Sequence, residues 1–65
     1  MTKYTLSYSQ KKNGRFVERE LMEYVNDGDS KLDGDAVTWT VELPDDVIER
    51  LLEAKRKGLS VKRAA

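Results

Sequence analysis

The sequence predicts an α+β fold: a three-stranded antiparallel sheet, built from a hairpin over 3–12/15–25 and a strand over 36–43, with one C-terminal helix over 45–57 packed on one face. Three observations predict it. Asn13-Gly14 separates two mixed apolar and polar stretches, Val37 to Leu43 alternates apolar and polar, and Val47 to Ala54 carries apolar residues at helical spacing.

Asn-Gly is the strongest short hairpin signal, because a two-residue type I′ turn requires positive φ at both central positions. With that turn Lys12 faces Arg15, Leu6 faces Leu21 and Gln10 faces Val17. Tyr4, Leu6, Tyr8, Val17 and Leu21 then share one side of the ribbon, which is assigned to the core. The other side carries Thr5, Ser7, Ser9, Glu18 and Glu20, together with Phe16, Met22 and Tyr24. A slip of one residue would exchange the two sides.

Asn26 to Asp35 is a polar connection containing two glycines and four aspartates. Its EF-hand match fails where a bidentate Glu is required, since Thr40 holds the twelfth position counted from Asp29, so a solvated turn is expected. In the strand, Val37, Trp39, Val41 and Leu43 face the core, and Ala36, Thr38, Thr40 and Glu42 face away. The ten-residue approach lets this strand neighbour either hairpin strand, with a simple meander preferred.

The helix starts after Pro44 with Asp45 and Asp46 at the positive end of its dipole. Lys55, Arg56 and Lys57 sit at the negative end and Gly58 supplies the stop. Leu59 and Val61 fold back onto it, and Lys62 to Ala65 form a frayed tail. One core is expected from Leu6, Val17, Leu21, Trp39, Val41, Ile48, Leu51 and Leu52.

Composition narrows the function. The chain has 65 residues, twelve basic and twelve acidic, with neither cysteine nor histidine. Thiolate metal sites, disulfides and the commonest general base are therefore missing, and no catalytic residue, metal site or cofactor is assigned. The neutral total disfavours a protein whose whole surface neutralises phosphates, although a local patch still serves. No apolar run is long enough to span a membrane and no apolar signal region precedes the fold, so a cytoplasmic location is expected.

Two surfaces are candidates for binding. Phe16, Met22 and Tyr24, beside Thr38 and Thr40 on the sheet face away from the helix, form an expected protein-docking patch. Lys55, Arg56, Lys57, Lys62 and Arg63 form a basic C-terminal end suited to nucleic acid or an acidic partner.

The run Val41-Glu42-Leu43-Pro44-Asp45-Asp46, the apolar helix and Lys57-Gly58-Leu59-Ser60 resemble the first half of a ribbon-helix-helix DNA-binding domain over residues 37–63. The resemblance implies a homodimer pairing strand 36–43 with its mate. It also implies base reading by Thr38, Thr40 and Glu42, and Ser60 capping a second helix.

The function expected is a small non-enzymatic binding or regulatory protein of inhibitor or adaptor type, occupying a surface of a larger macromolecule. The alternative is a nucleic-acid-binding transcriptional regulator. A protein partner is expected, and nucleic acid or a second copy of the chain are the other candidates.

Overall fold

The strand over residues 36–43 occurs as expected, but the expected hairpin is instead a strand followed by a helix. The computed structural model describes residues 1–64. In chain order the elements are β1 (Thr2–Ser9), α1 (Gln10–Glu20), a 3-10 turn (Met22–Tyr24), β2 (Asp29–Asp33), β3 (Ala36–Leu43), α2 (Asp45–Glu53) and β4 (Ser60–Arg63). The sheet order is β2-β3-β1-β4, and every neighbouring pair is antiparallel. Each of two β-α-β units is split by a strand of the other, which is ferredoxin-like connectivity. The sheet therefore has four strands and the fold two helices, where three and one were expected.

Ser9 ends β1 and starts α1. Its backbone is extended, with φ −82° and ψ 125°, and its Oγ accepts the amide of Lys12. Asp35 completes this N-terminus from the β2–β3 turn. Its carbonyl accepts the Gln10 amide at 2.7 Å and its Oδ1 accepts the Lys11 amide at 2.9 Å, while the Ser9 hydroxyl donates to Oδ2. Three early N–H groups of α1 thus find partners, which a helix start requires.

Asn13-Gly14 lies inside α1, with both residues buried. Gln10, Asn13, Gly14, Val17 and Leu21 recur at spacings of three and four, so they line one side of the helix. Val17 and Leu21 reach the core as expected, but from a helix. A separation of four residues puts two side chains on the same side of a strand and of a helix alike.

The true hairpin is β2–β3. Asp33 pairs with Ala36, leaving Gly34-Asp35 as a two-residue loop, and Gly34 has φ +63°. Positive φ at the first loop position is the type II′ requirement, and Gly-Asp meets it. The expected solvated connection thus contains a strand, β2, whose five residues are all exposed.

In α2, Asp45 and Asp46 occupy the first turn as expected, but the helix ends at Glu53 and Ala54 is its C-cap. Lys55 takes φ +49°, so the helix stops four residues before the expected end and Gly58 shapes the later approach to β4. Lys62 and Arg63 of the expected frayed tail instead pair with β1, opposite Thr5 and Tyr4, and Val61 pairs opposite Leu6. Ala65 lies outside the described residues.

β3 is bonded to β2 on one side and β1 on the other, and Ser60 opens β4. The free ribbon and second helix implied by the ribbon-helix-helix resemblance are therefore not formed by these residues. Both helices cover one side of the sheet. The core holds Leu6, Tyr8, Val17, Leu21, Val37, Trp39, Val41, Leu43, Val47, Ile48 and Leu51. Of the expected core, only Leu52 is outside, at 56% exposed.

Candidate functional site

The site builds upward from one buried polar residue. Asn13 is 1% exposed, and burying an amide requires that its donors and acceptor be paired. Its Nδ2 donates to the Lys57 carbonyl at 2.8 Å, and its Oδ1 accepts Arg56 Nε at 3.0 Å. Arg56 also donates through a terminal nitrogen to the Lys12 carbonyl at 3.2 Å. Its guanidinium lies 4.6 Å above the Phe16 ring, a cation–π geometry. The left-handed Lys55 turns the chain after α2 so that residues 55–57 meet the start of α1.

This clasp joins Lys55, Arg56 and Lys57 to Lys12 of α1, all four exposed, while Lys11 and Arg15, two positions either side of Asn13, leave the opposite side of the helix. Asp35 borders the group from the β2–β3 turn. The Ser9 hydroxyl, then the Lys11 amide, hold its carboxyl below the usual carboxylate range, so it stays ionised.

Three of the five basic residues expected from sequence are therefore in the cluster. Lys62 and Arg63 are not. They lie on β4, with Arg63 opposite Tyr4, and strand rise carries Arg63 roughly 10 Å from Ser60. Lys62 shares the open sheet face with Thr5, and Arg63 shares the helical side with Tyr4. Lys12 was missed. The basic run around it was the available signal, but about forty positions separate it from Lys55.

The expected docking patch is not assembled. Thr38 and Thr40 do face away from the helices, and Thr40 shares a hydroxyl hydrogen bond with Thr5 at 3.1 Å. Phe16 lies on α1 under Arg56. Met22 and Tyr24 lie in the 3-10 turn, with Met22 68% exposed and Tyr24 packed against the core. The open sheet face instead presents Lys3, Thr5, Ser7, Asp29, Lys31, Asp33, Thr38, Thr40, Glu42 and Lys62. It carries no aromatic ring among the described residues, so it offers no base-stacking platform.

A second concavity, of about 260 Å³, lies between α1 and β2 and includes Val17, Val25, Leu32, Val37 and Trp39 in its walls. The Trp39 indole donates to the Asp27 carbonyl at 2.7 Å and ties down the segment that leads into β2. Burial raises the pKa of Tyr8, which shares the rim of this groove, and the Glu18 carboxylate adds to the rise.

No described helix is long and apolar enough to cross a membrane. Among the described residues, no three acidic side chains group as a metal site would require. Compared with known proteins, the chain matches no family model, no curated protein and no solved structure.

Proposed function

We propose that the protein is a small non-enzymatic binding module that docks its cationic end on the phosphate backbone of a nucleic acid. The observation that carries this reading is the union of Lys55, Arg56 and Lys57 with Lys12 across the Asn13 clasp. A formally neutral chain thereby concentrates positive charge at one end, and local potential governs encounter with a polyanion. Arg56 is committed to the clasp and to Phe16, while the exposed lysines supply mobile charge. With Phe16 covered by Arg56 and no ring on the open sheet face, the contacts are to phosphate and carry little base preference. The absence of histidine and cysteine from the sequence favours binding over catalysis.

The test is fluorescence anisotropy with a mixed-sequence duplex at about 20 mM salt, repeated as salt rises. Four phosphate contacts give a slope of about −3.6 in log K against log salt. The double substitution K12E/K57E, which keeps the backbone atoms of the clasp, weakens binding at least tenfold on this reading. Absence of binding at the lowest salt overturns it.

A further inference from the structure

We propose that β2 is a self-association edge: two copies join β2 to β2 about a two-fold axis at Leu32, fusing two four-stranded sheets into one. Unpaired strand edges are templates for another strand, and proteins blunt the ones they do not use. The two edges of this sheet differ in that respect. β4 is four residues long and two of the four, Lys62 and Arg63, are cations, so it is short and charged. β2 is five residues long, contains no proline, and is exposed throughout.

The side of β2 toward the helices carries Ser30 and Leu32, and Leu32 is uncovered. Leu32 is 64% exposed and Val25 45% exposed, and both stand at the groove between α1 and the sheet edge. A second copy of β2 laid along this edge brings its own Leu32 to the mouth of that groove.

Charge complementarity selects the second copy as the occupant, and Leu32 selects the register. Centring the two-fold on Leu32 sets Leu32 against Leu32 on the helical side. It also sets Lys31 against Asp33 twice on the open side, with Asp29 level with Asp35 of the turn. Centring on Lys31 opposes Lys31 with Lys31 and Asp29 with Asp33, and opposed like charges on neighbouring strands are unfavourable. Centring on Ser30 pairs Lys31 with Asp29, but it leaves Leu32 opposite Gly28 and sets Asp33 level with Asp27. The first and last registers match in their Lys–Asp pairs and in one acid–acid approach per strand, and only the first adds the apolar pair.

Sedimentation equilibrium without nucleic acid tests the inference. A small interface associates weakly, so the mean mass rises from 7.5 kDa toward twice that value between roughly 10 µM and 1 mM. K31D sets acid against acid and D33K sets lysine against lysine, so either alone holds the protein at monomer mass. The combined K31D/D33K swap restores the pairs and the dimer. All the altered residues are exposed, and an unchanged far-ultraviolet circular dichroism spectrum verifies folding. A wild-type mass that stays monomeric throughout overturns the proposal. So does a dimer that survives K31D, or a double swap that fails to rescue it.

Discussion

Truncating Asn13 to alanine removes a buried donor and acceptor at once. The Lys57 carbonyl and the Arg56 guanidinium lose their partner, and the two halves of the cationic end come apart. We expect N13A to cost about 1–3 kcal/mol, read as a fall in thermal midpoint of about 4–8 °C per kcal/mol. N13D keeps an acceptor for Arg56 but sets a carboxylate oxygen against the Lys57 carbonyl, and should be destabilised as well. Asp35 gives a prediction in pH. Its carboxyl is lowered by the Ser9 hydroxyl and the Lys11 amide, so its stabilisation is complete above the ordinary carboxylate pKa and is lost as pH falls through the lowered folded value. Acid unfolding of wild type should therefore steepen below about pH 4, and D35N should flatten that limb while lowering the thermal midpoint at neutral pH. An acid limb unaltered by D35N would show that other carboxylates carry it.

At the scale of elements, two glycines should respond oppositely to alanine. Gly14 sits in α1, and the atoms nearest an added Cβ all belong to the side chain of Gln10, which can swing into solvent. G14A should stabilise by about 0.5–1 kcal/mol, the helix-propensity difference. Gly28 has φ +73°, and a Cβ there would lie 2.1 Å from the Thr40 carbonyl oxygen. G28A should destabilise by more than about 2 kcal/mol, since strain and clash add. Urea unfolding of both variants checks the pair. These glycines also show where the elements were legible. β3 and the start of α2 were readable because alternation runs up to Pro44 and paired acids follow it without interruption. α1 was not, because its buried side carries Asn13 and Gly14 where an amphipathic helix would carry apolar residues. Asn13-Gly14 imitated a turn, while the working turn, Gly34-Asp35, sat inside a run of aspartates that resembled a loop.

For the whole molecule, the core was legible even where the elements around it were not. Leu6, Val17, Leu21 and Trp39 meet as expected, because same-side spacing of four residues survives the exchange of strand for helix. The site was half legible. Lys55 to Lys57 were visible as a run, but their union with Lys12 depends on the long-range contacts of Asn13 and Arg56. The same long-range character governs stability. β1 is bordered by β3 and β4, so a chain ending at Gly58 leaves one edge of β1 bare and uncovers Leu6 beside the missing Val61. We expect that truncated chain to lose its cooperative thermal transition, because a domain of this size has only a few kcal/mol to lose. A sharp transition in the truncated chain would contradict a structural role for β4.

The position of β1 between those two strands also sets a timetable. During translation β1 leaves the ribosome before both of its neighbours, β3 at residues 36–43 and β4 at residues 60–63. The backbone groups that face β4 stay unmatched until residue 63 has been made, so the sheet closes last along that edge and the nascent strand depends on other molecules for protection until then.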